Sequence, residues 1–290
     1  MKISQAILPI AGLGTRFLPW TKAVPKEMLP IGTQPIIALL VDECLEQGIR
    51  DICFVISRGK EVVPQYFQRD AQLEEELALR GKSHLLEELT RYDETRFHVV
   101  YQEQLKGDGH AILQAEGWVE SDEIAVLFGD DLFIGAGSAL QQLMAGYETA
   151  GGGSAPTGSG REKAVIAVEN IPRELSSKYG IIDVASDQPS HARLKKVKGL
   201  VEKPKPEAAP STFGIVGRYL IPRSTFSVLP KVKSSTKDGE IRLIDALIAQ
   251  LNNIEIYGYE CEGKRLDTGT PEGYRNALIA YGEQAFREQE

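Results

Sequence analysis

The run Leu8-Pro9-Ile10-Ala11-Gly12-Leu13-Gly14-Thr15-Arg16, with Pro25-Lys26-Glu27-Met28-Leu29-Pro30 after it, constrains this chain more than any bulk property. An apolar strand from Ala6 to Ile10 runs directly into a glycine-rich turn, and glycine lets backbone N–H groups approach a polyphosphate closely. Arg16 and Lys26, ten positions apart, add a planar fork and a point charge suited to the same phosphates. The turn is not the G-x-x-x-x-G-K-[ST] loop of P-loop proteins. Nor is it the G-x-G-x-x-G dinucleotide fingerprint, because Phe17 stands where the third glycine belongs. A strand, a small-residue loop and two cations point to a nucleoside triphosphate site.

Such an anion site must be local, since the net charge is −8 and argues against a general nucleic-acid or acidic-membrane binder. The 290 residues, 42% apolar and 26% charged, are enough to bury a full core and match a soluble globular protein. Cys44, Cys53 and Cys261 form no C-x-x-C pair, so neither zinc nor a disulfide framework is indicated. Cys44 and Cys53 read as buried, inert thiols. The sequence enters a strand without a signal-peptide pattern, and no apolar run reaches membrane length. A cytoplasmic location is expected, with no membrane partner.

Strand and helix patterns alternate through the first half, which implies an α/β fold with a mixed, mostly parallel central sheet flanked by helices. The spacing predicts a helix over 34–47, with Pro35 in its first turn and Gly48 closing it, and strands over 52–57, 97–102 and 124–128. A helix is expected from Ala111 to about Trp118 after the turn Lys106-Gly107-Asp108-Gly109-His110. Gln72 to Tyr92, rich in glutamate, reads as a solvated helical excursion. Gly151 to Gly160 reads as a surface loop. The second half predicts strands over 164–168, 179–184, 194–202 and 214–220, then helices over 240–251 and 271–288. One domain over 1–290 is expected, with a nucleotide half at about 1–135, a sugar half at about 164–270 and a closing helix. Ligands in such sheets bind beyond the carboxyl ends of strands, where Gly12–Arg16, Gln102 and Asp130 all fall.

Several residues carry chemistry by type and place. Mg²⁺ takes one or two carboxylates plus phosphates and waters, and Asp130 is offered at a strand end after Gly129. In Glu202-Lys203-Pro204 the carboxylate can accept two sugar hydroxyls and the ammonium can hold a phosphate, with Pro204 setting an extended exit. The Gln102 amide can pair with the donor–acceptor edge of uracil, helped by the backbone of Ala11, Gly12 and Gly107. His110 is assigned no acid–base role.

The spacing G-x-G-T-R-x-x-P-x-T-K-x-x-P-K-E-M-L-P resembles the signature of the sugar-1-phosphate nucleotidyltransferases, and its K-E-M-L-P ending is similar to the bacterial UTP–glucose-1-phosphate uridylyltransferase branch. Thymidylyl- and adenylyltransferases usually carry G-G-x-G-T-R instead. The resemblance implies a Rossmann-like nucleotidyltransferase fold, Mg²⁺ as cofactor, UTP and glucose 1-phosphate as substrates, and a homo-oligomer (dimer or tetramer). It implies Arg16, Lys26 and Lys203 as catalytic residues, and Asp130 with Asp267 as metal ligands. Ala11, Gly12, Gly14, Glu27, Gln102 and Gly107 are implied at the nucleotide. Asp131, Gly180, Glu202 and Val216 (in V-G-R-Y) are implied at the sugar. Arg58-Gly59-Lys60 resembles the family's R-G-K, after which Val63-Pro64-Gln65-Tyr66-Phe67 departs from the family pattern. A catalytically silent sugar-nucleotide sensor would have lost a phosphate or metal ligand, and none of these five charged residues is missing.

Overall fold

The computed structural model describes residues 3–135, 137–152, 160–185, 192–233 and 239–287. The first half lays down β1 (Gln5–Pro9), α1 (Ile36–Glu46), β2 (Asp51–Ile56), β3 (Arg96–Tyr101), α2 (Asp108–Gln114) and β4 (Glu123–Leu127). A short strand β5 (Asp131–Ile134) and helix α3 (Ala139–Thr149) follow. The second half contributes β6 (Lys163–Asn170), β7 (Gly180–Val184), β8 (Leu194–Glu202), β9 (Phe213–Pro222), α4 (Leu243–Gln250), β10 (Glu255–Glu260), β11 (Lys264–Asp267) and α5 (Pro271–Arg287).

Nine strands form one sheet in the order β3-β2-β1-β4-β9-β6-β10-β8-β7. Pairings β3–β2, β2–β1, β1–β4 and β6–β10 are parallel. Pairings β4–β9, β9–β6, β10–β8 and β8–β7 are antiparallel. The parallel character thus belongs mainly to the first half of the chain, where each strand returns through a crossover. β9 docks antiparallel beside β4, so the second half of the chain joins the same sheet edge to edge. Alternate residues of the central strands face opposite layers, as the two-residue strand period requires. Ala6, Leu8, Ile52 and Phe54 lie under α1, α3 and α5, whereas Ile7, Cys53 and Val55 lie under α2 and α4. Cys44 and Cys53 are fully buried, and burial pushes the Cys53 thiol up to about 12.

Several elements depart from the sequence expectation. Pro35 precedes α1 as its cap, while Gly48 does end that helix, with φ 73° and its N–H donating to the Leu45 carbonyl at 2.9 Å. Helix α2 starts at Asp108, three residues before the expected Ala111, because Gly107 at φ 101° makes the turn alone. α3, capped by Ser138 accepting from the Gln141 N–H at 3.1 Å, was not foreseen, nor were β5, β10 and β11. The excursion over 72–92 is helical at Ala71–Leu79 and Leu86–Thr90 and largely exposed. Most of Gly151 to Gly160 lies outside the described residues.

Candidate active site

Two cavities open side by side at the carboxyl ends of β1, β3 and β4, and they share Asp108, Phe128 and Asp130 as common wall. The first is lined by Ile10, Ala11, Gly12, Lys26, Glu27, Gln102 and Gly107. The second is lined by Arg16, Asp131, Gly180, Glu202, Lys203, Arg265 and Asp267 among others.

At the first cavity the chain leaves β1 with Ile10 still pinned to β2, its N–H donating to the Val55 carbonyl at 2.9 Å. No atom would meet a Cβ on Gly12, so that backbone is open to the cavity. Gly14 does not line it. A φ of 65° at Gly14 instead turns the chain into the Thr15–Phe17 turn that carries Arg16, and the Gly14 carbonyl accepts from Thr21 Oγ1 at 2.9 Å. Beneath the turn the buried Lys60 donates to the Ile10 carbonyl at 2.6 Å and to Glu27 Oε2 at 2.9 Å. Burial lowers the Lys60 ammonium from its ordinary range despite that partner. Glu27, 1% exposed, is therefore committed to a structural ion pair as well as to the cavity wall. Gln102 ends β3 with its amide fixed: Nε2 donates to the Gly107 carbonyl at 2.9 Å and lies 3.0 Å from His110 Nδ1.

Lys26 crosses the boundary between the cavities to reach Asp130, Nζ to Oδ2 2.8 Å. Burial opposes the charge of Lys26, but Asp130 and Glu27 more than offset it and raise the ammonium above its usual value. Burial likewise opposes ionisation of Asp130, yet Lys26 and Arg16 hold its carboxyl below the usual range. Asp267 comes from β11, which pairs with β5 in a register that sets Asp267 opposite Asp131. Its Oδ1 accepts from the Gly269 N–H at 2.8 Å, and Thr268 donates through N–H and Oγ1 to the Asp130 carbonyl at 2.7 and 3.0 Å. One point, where a Cβ on Gly269 would sit, lies 3.0 Å from Asp130 Oδ2 and 3.1 Å from Asp267 Oδ1. The two carboxylates thus converge. Arg16 joins them, Nη1 lying 3.4 Å from the Gly269 carbonyl.

In the second cavity Asp131 is held by Arg265 at 2.6 Å and accepts from the Gly217 N–H at 3.0 Å. Burial nevertheless raises its carboxyl above the ordinary range. Arg265, unassigned from sequence, also binds Glu169 at 2.7 Å and the Tyr179 hydroxyl at 2.7 Å. A Cβ on Gly180 would lie 2.6 Å from Ile244 Cδ1 and would have to displace the end of that side chain. Glu202 is flanked by Lys203 Nζ at 3.2 Å and Arg242 Nε at 3.7 Å. Lys203 does not take the extended conformation expected before Pro204. Its φ is 46°, the one positive value among described non-glycine residues. Its N–H donates to the Tyr179 carbonyl at 3.0 Å, and the Pro204 carbonyl accepts from Ser176 Oγ at 3.0 Å, so both flanks are held. The strand alternation corrects one further expectation. Ile215, Gly217 and Tyr219 line the cavity, whereas Val216 is buried in the core of the opposite face.

Arg218, also on that opposite face and fully buried, donates to Glu43 through Nε at 3.0 Å and Nη2 at 2.7 Å. It reaches the Phe128 carbonyl at 3.4 Å and the Asp131 carbonyl at 2.8 Å, bracketing the Gly129-Asp130 turn from behind. Arg265 and Arg242 carry no assignment from the sequence, and Lys60 and Arg218, though inside the R-G-K and V-G-R-Y motifs, are given no organising role by it. Each is an ordinary cation in the sequence, and only the tertiary pairing reveals its partner.

Residues 5–284 match the family model described as nucleotidyl transferase. The UTP–glucose-1-phosphate uridylyltransferase YngB of Bacillus subtilis strain 168 is 39% identical, over 97% of this chain and 90% of that relative. A UTP–glucose-1-phosphate uridylyltransferase of Komagataeibacter xylinus is 38% identical over 92% and 90%. Among solved structures, an apo UDP-glucose pyrophosphorylase superposes with TM-score 0.86 at 34% identity, covering 98% of this chain and 99% of that one. A UTP-bound UDP-glucose pyrophosphorylase from Acinetobacter baumannii gives TM-score 0.84 at 35% identity, covering 97% and 94%. With the family match running from β1 into α5 and these relatives spanning nearly the whole chain, the protein belongs to the nucleotidyl transferase family.

Proposed function

We propose that this chain is a uridylyltransferase that makes UDP-glucose and pyrophosphate from UTP and α-D-glucose 1-phosphate. The observation that carries the reading is the pair of adjoining cavities with Asp130 in their common wall, one suited to a nucleotide and one to a sugar phosphate. The substrates named for the relatives agree with it.

The nucleophile is a phosphate oxygen of glucose 1-phosphate, already ionised at neutral pH, so no general base is needed. It forms a bond to the α-phosphorus of UTP while the bond from that phosphorus to the bridging oxygen breaks, and the electron pair leaves with pyrophosphate. Catalysis reduces to positioning and charge neutralisation. Lys26 neutralises the α-phosphate, Arg16 steadies the triphosphate, and Lys203 holds the attacking phosphate. Glu202 accepts sugar hydroxyls. Gln102 offers its carbonyl to the uracil N3–H, and Ala11, Gly12 and Gly107 offer backbone groups beside it.

Asp130 and Asp267 would hold Mg²⁺. Their convergence at Gly269 fits an ion that needs only one or two carboxylates, and among the described residues no group of three or more His, Cys, Asp or Glu forms a fuller cage. When bound, the ion supplies positive charge to the phosphate oxygens. No helix among the described residues is long and apolar enough to cross a membrane. Self-association into a dimer or tetramer is part of the same reading.

The test is pyrophosphate release from UTP, dTTP, ATP, GTP and CTP with glucose 1-phosphate. Turnover led by UTP is expected. A better rate with dTTP or ATP would overturn the uridylyl assignment.

A further inference from the structure

The uridylyl reading gives each cavity its own residues, but not what keeps the two in register. The turn that holds Gln102 runs against the segment leading into α4. Gln102 Nε2 binds the Gly107 carbonyl at 2.9 Å. The Lys106 carbonyl accepts from the Ile241 N–H at 2.7 Å, and the Ile241 carbonyl accepts from the Gly109 N–H at 2.9 Å. Across the same seam Asp108 Oδ1 accepts from the Leu243 N–H, at the start of α4, at 2.7 Å.

The contact has no slack. A Cβ on Gly107 would lie 2.4 Å from the Ile241 carbonyl oxygen, and one on Gly109 would lie 2.7 Å from the Arg242 carbonyl carbon. Arg242, buried between these residues, faces Glu202 at 3.7 Å and Glu240 at 2.9 Å. Asp108 itself lines both cavities. The base-reading amide is thus bonded to Gly107, whose neighbours Lys106 and Gly109 are bonded to Ile241, and Ile241 directly precedes the arginine that faces the sugar-side carboxylate.

We infer that Asp108 is a positioning residue that fastens the base-reading turn to the Ile241–Leu243 segment, so that Gln102 and Glu202 are held at a fixed separation. The inference rests on the uridylyltransferase reading and goes beyond it. A ligand that spans both cavities should feel the fastening, and a ligand confined to the base side should not.

The experiment compares UDP-glucose, which carries both halves, with UMP, which carries one, by calorimetric titration of wild type, Asp108→Ala and Asp108→Asn. Asp108→Asn keeps an acceptor oxygen for the Leu243 N–H; Asp108→Ala does not. Asp108→Ala is expected to weaken UDP-glucose by about tenfold or more, within the usual range of coupling between sites, while UMP changes less than about twofold. Asp108→Asn should restore most of the loss. Equal weakening of both ligands, or no weakening of either, overturns the inference.

A second measurement needs no ligand. Amide hydrogen exchange in the free protein should show protection falling together over 105–110 and 240–245 in Asp108→Ala but not in Asp108→Asn. Loss confined to one of those segments also overturns the inference. A wild-type protein that binds neither UMP nor UDP-glucose would overturn the uridylyl reading instead, leaving the exchange result to decide the fastening.

Discussion

Removing the carboxylate of Glu43 should cost about 4 kcal/mol of stability. Arg218 is 0% exposed and gives both Nε and Nη2 to Glu43 Oε2, at 3.0 and 2.7 Å. Breaking a buried ion pair from one side costs roughly 3–5 kcal/mol, because the remaining charge stays buried without its partner. Three carbonyls, of Phe128, Gly217 and Asp131, still accept from Arg218 and place the ion-pair loss at the lower end. Glu43 Oε1 also accepts from the Leu140 N–H at 2.7 Å in the first turn of α3, and orphaning that donor adds about 1 kcal/mol. At about 2 °C per kcal/mol for a chain of this size, Glu43→Ala should lower Tm by about 8 °C. Glu43→Gln, which keeps an acceptor oxygen for one of the two partners, should lower it less. Arg218→Met should lower it most, since it strands a carboxylate and removes the donor from three carbonyls. Thermal unfolding by circular dichroism measures all three. A loss below about 1 kcal/mol in Glu43→Ala, or a reversed order, would refute the strut described here.

Lys203→Ala should raise KM for glucose 1-phosphate by roughly 1.5–3 kcal/mol in free-energy terms and leave KM for UTP nearly unchanged; equal effects in steady-state kinetics would remove Lys203 from the sugar phosphate. Asp130→Asn and Asp267→Asn should each abolish turnover at saturating Mg²⁺ with the fold intact by circular dichroism, because an amide cannot replace an anionic oxygen on the ion. CTP should be a poor substrate in the pyrophosphate assay, since its N3 and amino group invert the edge that Gln102 meets, whereas dTTP, differing from UTP at the base by a methyl, should be rejected by only about 1–3 kcal/mol. Burial pushes the Asp108 carboxyl up to about 6, above its unfolded value. A raised carboxyl favours folding below the unfolded pKa and loses that contribution as pH climbs through about 6. The Tm of Asp108→Asn minus that of wild type should therefore be larger at pH 8 than at pH 5, and a difference independent of pH would contradict the shift.

The elements legible in the sequence were those with strong local periodicity. The parallel strands of the first half, α1 and α5 announce themselves through alternating or helical spacing and clear punctuation. β5 and β11 are four residues each and mixed in polarity, and they exist because they pair with one another across the chain. That pairing is what brings Asp267 to Asp130, so their shared location could be named through a resemblance but not from spacing. The same holds within β9. Val216 and Arg218 sit in a motif next to the cavity, yet strand alternation turns both away from it. Gln102 and Lys26 were readable because a strand end and a glycine turn say where a side chain is delivered. The sequence offers Lys203 as a candidate phosphate ligand but gives no sign of its strained backbone, which is set by Tyr179 and Ser176 from a distant turn.

The register of β11 on β5 has a consequence for how the molecule is made. Asp130 emerges from the ribosome with the first half of the chain, but Asp267 arrives only with the last strand before α5. A nascent or proteolytically shortened chain that lacks residues 264–269 can complete the parallel sheet around β1 while carrying one of the two converging carboxylates. If both carboxylates serve the reaction as proposed, such a fragment should bind nucleotide but release no pyrophosphate. On that reading competence belongs to the finished polypeptide, and separately produced fragments ending and restarting between α3 and β6 should regain turnover only on reassociation.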